Sequence, residues 1–413
     1  MSDKQSGNGN VFSALAYGDF RLFASSLLLT SMGVQLLQTA MLWQVYELTG
    51  SALLLGLSGL VRAVPHIVLS LAGGVIADRL NRVRLIQAGQ VANAVLVLIL
   101  GALAMAGAVE VWHLYLITFL NSAFTAVTQP ARTALIPSLV PQANLVNAVA
   151  LNATIGQSSQ IIGPALAGVA IATVGLGAVY LFNGLLYMAS MVAIIGVVSP
   201  PVLRNTSESP WTSFKQGMVF VRSKPVIISL LLLDVGATGL GSYRALLPIF
   251  AESLGVGAAG YGLLSAAPGI GSLIGAGIML SLGDMKYKGL YTIFGVLAYC
   301  GALALLGLSP WFPLTLVAAA LLGTTNSVQM IPRNTVILAI SPDSLRGRVE
   351  AFRSMLAGGA PPLGYTLSGS LAAVLGAPLA IVCGAVACAV LVAVVGISQS
   401  ALRDQHLGST MKS

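Results

Sequence analysis

The sequence predicts an all-α membrane protein, with twelve transmembrane helices arranged in two pseudo-symmetric six-helix bundles. Three observations predict this fold: long apolar runs, a one-sided distribution of basic residues and an internal repeat. Of the 413 residues, 56% are hydrophobic and 8% are charged, whereas an ordinary soluble domain has about 25% charged residues. The composition therefore excludes a water-soluble protein and a disordered chain.

Twelve apolar runs are each long enough for a transmembrane helix, which needs about 20 apolar residues. They lie at 21–46, 52–77, 85–107, 112–137, 145–172, 176–198, 226–252, 259–283, 289–308, 312–339, 350–374 and 377–400. The first run is longer than the core of a cleavable signal peptide, so we expect it to be retained. The short connections leave no room for an attached nucleotide-hydrolysing domain.

The positions of lysine and arginine predict which side of the membrane each connection faces. With the N-terminus inside, sixteen basic residues fall on the inner side and none in the outer connections. This asymmetry follows the positive-inside rule, whereas a nucleic-acid-binding protein would gather its charge on one folded face. We therefore expect both termini in the cytoplasm, the lipid bilayer as the surroundings of the chain, and no nucleic-acid partner.

The longest polar break, 199–225, predicts the domain division. It separates an N-terminal six-helix bundle at 1–198 from a C-terminal bundle and tail at 226–413. Apolar and basic residues recur in the break at helical spacing, namely Phe214, Met218, Val221, Lys215, Arg222 and Lys224. This pattern predicts a short helix, either lying on the inner leaflet or packed on the bundle as a plain linker.

The two halves carry an internal repeat. An offset of 201 residues, without a gap, aligns Arg132 with Arg333, Pro141 with Pro342, Ala150 with Ala351, Gly163 with Gly364, Gly168 with Gly369 and Gly175 with Gly376. Repeated halves are a feature of secondary transporters, in which one half rocks against the other around a site at the middle of the membrane.

The same offset aligns two polar stripes. The matching residues are Asn121, Thr125, Thr128 and Arg132 on the fourth span, and Asn326, Gln329 and Arg333 on the tenth. Spacings of three and four residues place each set on one helix face. The stripes are interpreted as opposite walls of a water-filled path, since polar groups facing lipid are costly. The alternative is that they bond to neighbouring helices, above all Arg132 and Arg333 near the inner ends.

Two charged residues inside predicted spans are candidates for a role in transport. Asp234 on the seventh span is the proton-coupling candidate, because an intramembrane carboxylate is usually functional, and Thr238 lies one turn away. Arg62 on the second span needs a carboxylate, carbonyls, water or an anionic substrate, because a guanidinium does not lose its charge. An acid such as Asp234 is one possible partner. Gln35 and Gln38 form a polar face on the first span and are further substrate candidates.

The connection between the second and third spans resembles the signature loop of the major facilitator superfamily. The chain keeps Gly74, Asp78, Arg79 and Arg82 of that pattern and has Asn81 in place of its second glycine. Asparagine tolerates left-handed backbone better than most residues. The resemblance implies the major facilitator fold and a latch that joins the two halves in the outward-facing state. The latch would consist of Gly74, Asp78, Arg79, Arg82, Arg346 and Arg348.

Further motifs resemble the branch that contains enterobactin exporters and type 3 drug–proton antiporters. They are Asp19-Phe20-Arg21, Tyr46-Glu47 through Gly50-Ser51, Pro130-Ala131-Arg132 through Pro137, and Arg346-Gly347-Arg348. Gly163, Pro164 and Gly168 on the fifth span resemble the antiporter motif of exporting members. Small residues at these positions also suit tight helix packing without any directional role.

The resemblance implies a secondary transporter in the cytoplasmic membrane of a bacterium, working as a monomer. We expect proton-coupled efflux of amphipathic small molecules, either drugs or siderophores, by alternating access. Alternatives are a lipid or lysophospholipid flippase, an uptake permease, a non-transporting membrane protein and an intramembrane enzyme. The last needs a nucleophile and a base within reach of each other, yet the three histidines are scattered at 66, 113 and 406. No catalytic residue, metal or cofactor is expected.

Overall fold

The computed structural model describes residues 13–198, 210–283, 287–342 and 345–399, together with residue 402. Within these ranges the chain is helical and contains no β-strand. Its α-helices are α1 (Gly18–Thr49), α2 (Ala52–Arg79), α3 (Arg82–Met105), α4 (Val111–Leu139), α5 (Leu145–Ile195), α6 (Pro210–Ser223), α7 (Pro225–Val235), α8 (Leu247–Ser253), α9 (Gly257–Leu282), α10 (Lys288–Leu308), α11 (Phe312–Ile340), α12 (Arg346–Leu375) and α13 (Ala377–Ser398).

Ten helical segments of the described chain are long and apolar enough to cross a membrane. The segment that contains α5 is long enough for two crossings and bends at Gly175. α12 is a further long helix, less apolar because its first turns carry Arg346, Arg348, Glu350 and Arg353. The prediction of an all-helical membrane protein with twelve helices is confirmed.

Two glycines end equivalent helices in the two halves. Gly175, between the two crossings of α5, has φ 81° and ψ 166°. Gly376, between α12 and α13, has φ 83° and ψ 157°. This backbone conformation is essentially restricted to glycine. Because the two residues are 201 positions apart, the repeat seen in the sequence is also a repeat of backbone geometry.

The seventh predicted span, 226–252, is not one continuous helix. α7 ends at Val235 and is followed by a π-helical turn at Gly236–Leu240, a 3-10 turn at Arg244–Leu246 and then α8. Three glycines lie in this segment, at 236, 239 and 241, and glycine is a poor helix former. A broken helix is tolerated inside a membrane protein where it is buried in protein or lines a cavity.

The two ends of the bundle differ in charge. The turn between α2 and α3, the turn between α6 and α7 and the start of α12 lie at one end, which carries Arg79, Arg82, Arg222 and Arg348. We call it the basic end. The opposite end is where α1 passes into α2 and where α4 and α9 begin.

The halves touch mainly through two pairs of crossing helices, α2 with α12 and α5 with α9. A Cβ added at Gly369 would lie 2.5 Å from Gly56 Cα, and one added at Gly168 would lie 2.5 Å from Gly262 Cα. Both crossings lie towards the opposite end, and both depend on glycine because only glycine lets two backbones come this close.

The short helix α6 packs on the bundle. A Cβ at Gly217 would lie 2.6 Å from the Arg348 carbonyl oxygen, and Val221 is buried. Of the two arrangements that the sequence left open, the contact with α12 favours a packed linker helix. The predicted linker residues before Pro210, the side chain of Phe214 and both chain termini lie outside the described residues.

Candidate functional site

A central cavity of about 440 Å³ lies between the two halves. Helices α1 to α5 form most of its wall, and α12 and the Arg244 turn contribute the rest. The lining reaches towards the basic end at Leu27, Gln129, Arg132 and Ala357. A ligand in this space would therefore contact both halves at once.

A narrower recess of about 110 Å³ continues the cavity towards the opposite end. The cavity and the recess share Val34, Gln38, Arg62, His66, Thr125 and Tyr365. Most of the surface of the recess is apolar, and Leu37, Met41, Leu42 and Val45 contribute to it. The site thus combines a wide polar part with a narrow apolar part, which suits an amphipathic molecule.

The halves meet directly around and beyond the recess. Trp43 of α1 stacks on Tyr261 of α9 with ring centroids 5.5 Å apart. Gln38 Nε2 donates to the Tyr365 hydroxyl at 3.4 Å, which joins α1 to α12. Together with the glycine crossings, these contacts close the site on the side of the opposite end.

The predicted pathway residues of the N-terminal half are brought together in the site. Gln35, Gln38, Arg62, Thr125 and Thr128 line the cavity. The remaining member, Asn121, lines the recess, where its side-chain amide donates to Asn93 Oδ1 at 3.0 Å and to the Tyr187 hydroxyl at 3.3 Å.

The C-terminal stripe is not brought to the cavity. Gln329 is 0% exposed, and neither it nor Asn326 is part of the described cavity walls. Gln329 Nε2 donates to Asn326 Oδ1 at 3.2 Å, and Arg333 Nη1 donates to Gln329 Oε1 at 2.9 Å. A Cβ at Gly295 would lie 2.8 Å from Gln329 Cβ, so α10 packs closely against this face of α11. The two stripes are equivalent in sequence but not in surroundings.

Asp234 forms an ion pair with Arg333, whose Nη2 lies 2.9 Å from Asp234 Oδ1. Both side chains are buried. Pairing of Asp234 with Arg62, which the sequence allowed, is therefore wrong for this conformation, because the carboxylate lies against α11. Thr238 donates to the Asp234 backbone oxygen at 2.8 Å and does not line the described cavity.

Arg132 takes part in a buried polar network of the N-terminal half. Arg132 Nη2 donates to Thr30 Oγ1 at 3.1 Å, and Gln90 Nε2 donates to Thr30 Oγ1 at 2.5 Å and to Ser190 Oγ at 2.9 Å. Two polar atoms of this network, Arg132 Nη1 and Gln90 Oε1, have no hydrogen-bond partner. Both residues line the cavity.

The predicted latch is described only in part. Arg82 Nη1 donates to the Ala134 oxygen at 3.0 Å, Arg346 Nε donates to the Leu338 oxygen at 3.3 Å, and Arg348 donates to Gln216 Oε1. Arg79 is exposed. Gly74 and the side chain of Asp78 lie outside what the structure describes, so the latch stays a prediction.

The antiporter-like motif of α5 lies at two helix contacts. A Cβ at Gly163 would lie 2.6 Å from Gln35 Cβ on α1, whereas one at Gly262 of α9 would lie 2.7 Å from the Pro164 oxygen. Gly168 forms the crossing with Gly262. These residues therefore let α5 approach α1 within its own half and α9 across the interface.

Sequence reasoning missed three residues of the site. Arg244 lies ten residues after Asp234, which on a continuous helix would turn it to another face, but the break in that helix brings it into the cavity. The glycines at 236, 239 and 241 were the signal for this break. His66 and Tyr365, which belong to none of the predicted polar faces, also line the cavity.

Solved transporters share this fold. A bacterial homologue of the human lysosomal transporter Spinster superposes with a TM-score of 0.75 and 14% identity, covering 93% of this chain and 98% of the other. The nucleoside transporter NupG, crystallised as a point mutant, gives a TM-score of 0.74 and 14% identity over 92% and 99% of the two chains. These likenesses show the major facilitator fold. The class of protein follows from the family match, which makes the chain a secondary transporter and not an enzyme.

The chain belongs to the transmembrane secretion effector family, whose sequence profile matches residues 10–410. It is also similar to the enterobactin exporter EntS of Shigella boydii serotype 4 (strain Sb227). The two are 26% identical over 376 residues, which is 90% of each chain. The expected superfamily and the distant relationship to enterobactin exporters are both confirmed.

Proposed function

We propose that this protein exports amphipathic small molecules, of the drug or siderophore type, from the cytoplasm by alternating access. The single observation that carries the proposal is a cavity shared by the two halves, which extends towards the basic end and is closed towards the other. The distant relative of this chain, EntS, is named as an exporter. The positive-inside rule puts the basic end in the cytoplasm, so this conformation would load substrate from inside.

The proposed cycle turns one half against the other around the bound molecule. Opening to the outside requires the crossings at Gly56 with Gly369 and at Gly168 with Gly262 to separate. The basic end must then close, and the proposed latch of Asp78, Arg79 and Arg82 with the start of α12 would hold it. Because each crossing joins the two halves, substrate binding and gate movement are coupled through the same helices.

Protons are the proposed driving ion, and Asp234 is the proposed coupling residue. It is the carboxylate that lies well inside a span, and it is paired with Arg333; a paired and a protonated form would be the two states of the proposed coupling. Protonation of Asp234 would leave the Arg333 charge without its partner and so favour a rearrangement of α7 against α11.

The test of export is substrate flux in proteoliposomes. The purified monomeric protein is screened by counterflow against labelled drugs and siderophores, with and without a pH gradient of either sign. We expect accumulation of at least one amphipathic compound that depends on the gradient, and loss of this dependence in Asp234→Asn. Unchanged gradient-driven transport by that variant contradicts the coupling role, whereas absence of flux for every compound contradicts export.

A second candidate function is lipid transport, favoured by one observation. An apolar groove of about 430 Å³ lies beside the broken part of the seventh span and is lined by Leu232, Val235, Leu356, Leu363 and Leu367. Three of these leucines are exposed on the outside of the bundle, where lipid would surround them. Movement of a fluorescent lysophospholipid between leaflets of the same proteoliposomes would favour this candidate.

A further inference from the structure

We propose that the central cavity is an organic-anion site, in which Arg62 and Arg244 bind the anionic group of the substrate from opposite halves. The inference rests on the proposed export function and names the class of compound exported. It excludes cationic drugs, which the expectation of drug efflux leaves open.

The first step is the balance of charge inside the spans. Four arginines lie well inside predicted spans, at least five residues from either end, namely Arg62, Arg132, Arg244 and Arg333, whereas Asp234 is the carboxylate well inside one. That carboxylate is used by Arg333. The other three arginines all line the central cavity. An intramembrane charge of this kind needs a partner or water, and these three have no acid to pair with among the described residues.

The second step is the composition of the cavity wall. Neither the cavity nor the recess has an aspartate or glutamate in its described lining. The lining does contain His66, but a histidine side chain is neutral or positive and never negative. Several positive charges of one sign in a cleft with low-dielectric walls produce a strongly positive potential, which concentrates anions and repels cations.

The third step concerns the hydrogen bonds and ion pairs of the arginine side chains. The Arg62 side chain makes no hydrogen bond or ion pair with the described residues, although its backbone oxygen accepts from Ser122. Arg132, 5% exposed, keeps Nη1 without a partner. Arg62 is half-buried in the cavity wall, and a buried donor such as Arg132 Nη1 is normally satisfied, so both guanidinium groups are available to the acceptor atoms of an anionic ligand.

The fourth step is the geometry of the pair. Arg62 belongs to α2 of the N-terminal half and Arg244 to the broken seventh span of the C-terminal half, and both line the same cavity. A carboxylate or a similar planar anion accepts well-directed hydrogen bonds from guanidinium groups. One anionic group would thus relieve the repulsion between the arginines and join the halves, while its apolar remainder enters the recess beside Leu37 and Met41.

The test compares two dyes of the same ring system and opposite charge. Fluorescein is an anion at neutral pH and rhodamine 123 is a cation. Their binding to the full-length protein in phosphatidylcholine nanodiscs is measured by fluorescence anisotropy. We expect fluorescein to bind about tenfold more tightly or better. We expect Arg62→Gln and Arg244→Gln each to weaken fluorescein binding several-fold without weakening rhodamine 123.

Two further variants test whether the effect comes from the charge at the site, and not from misfolding or from a change in net charge. Arg62→Lys keeps the positive charge and should keep the preference for fluorescein. Arg222→Gln removes an exposed charge of α6, far from the cavity lining, and should change neither affinity. Size-exclusion profiles and melting temperatures establish that each variant is folded.

The proposal is overturned if rhodamine 123 binds at least as tightly as fluorescein, if neither dye binds, or if folded Arg62→Gln and Arg244→Gln both bind fluorescein normally. These results leave export itself untouched, because flux of neutral or cationic compounds is measured separately. Conversely, selective anion binding without any transmembrane flux would support the site and contradict export.

Discussion

Arg333 of α11 donates to Asp234 of α7 over 2.9 Å, and the pair is buried in the C-terminal half. Its repeat partner Arg132 instead donates to the neutral hydroxyl of Thr30 in the polar network at the cavity wall. A second nitrogen of Arg132, Nη1, has no hydrogen-bond partner among the described residues. The two halves thus share a scaffold and differ in charge balance. We infer that the C-terminal pair serves stability or coupling, whereas the N-terminal arginine is available to a ligand.

Replacing one member of the buried pair should destabilise the protein more than replacing both members. Asp234→Ala or Arg333→Ala leaves one buried charge alone, which costs about 3–5 kcal/mol. The double variant Asp234→Leu/Arg333→Met should recover most of that loss, measured as the thermal midpoint in detergent. The control is Glu350→Gln, which breaks the half-exposed pair with Arg353 and should cost about 1 kcal/mol or less. Equal losses in single and double variants would contradict a mutually compensating pair.

The glycine between α12 and α13 should not tolerate a side chain. Gly376→Ala forces a β-carbon into a backbone conformation with φ 83°, which costs about 1–3 kcal/mol. The matched control is Gly301→Ala in the interior of α10, where nothing lies within 4 Å of the added carbon. It should be neutral or stabilise by up to about 1 kcal/mol, because alanine is the better helix former. A normal melting temperature for Gly376→Ala would show that the break in the helix is not needed.

Enlarging the crossing of α5 and α9 should shift the conformational equilibrium. A Cβ at Gly262 would lie 2.6 Å from Gly168 Cα, so Gly262→Val cannot keep the opposite end closed as described. We expect increased labelling of cysteines placed at that end by an impermeant reagent, and transport reduced about tenfold or more. Gly277→Ala on the same helix has free space around its added carbon and should behave as wild type. Labelling that is unchanged in Gly262→Val would contradict a gate at this crossing.

The two polar stripes should differ in their access to water. In a variant without the three native cysteines, Thr125→Cys should react with a small water-soluble thiol reagent, because Thr125 lines both the cavity and the recess. Asn326→Cys should react much more slowly while the protein is in this conformation, because position 326 is not part of the described cavity wall. Equal rates at the two positions would mean that the C-terminal stripe also faces the water-filled path.

Most of the membrane-embedded fold could be predicted from the sequence. The apolar runs, the glycines at 175 and 376 and the repeat that relates them all report local properties, namely transfer into lipid and backbone conformation. The broken seventh span was missed, although Gly236, Gly239 and Gly241 signalled it, because apolar content alone does not distinguish a continuous helix from an interrupted one.

The site was predicted unevenly. Helical periodicity correctly grouped Thr125 with Thr128 on one face, and the structure brings that face to the cavity. The same periodicity grouped Gln329 with Arg333 but could not tell that α10 covers them. A face is a property of one helix, whereas what lies opposite that face depends on how neighbouring helices are rotated and how closely they approach.

The sequence by itself determined a helical membrane protein with an internal repeat and four arginines well inside its spans, because hydrophobicity, charge and glycine conformation are encoded residue by residue. Only the tertiary structure decided that Asp234 pairs with Arg333 and that Arg244 and Arg62 line one cavity whose described wall has no acidic side chain. Those relationships join residues that are distant along the chain, and they arise from the packing of helices, which the pattern within any single helix does not specify.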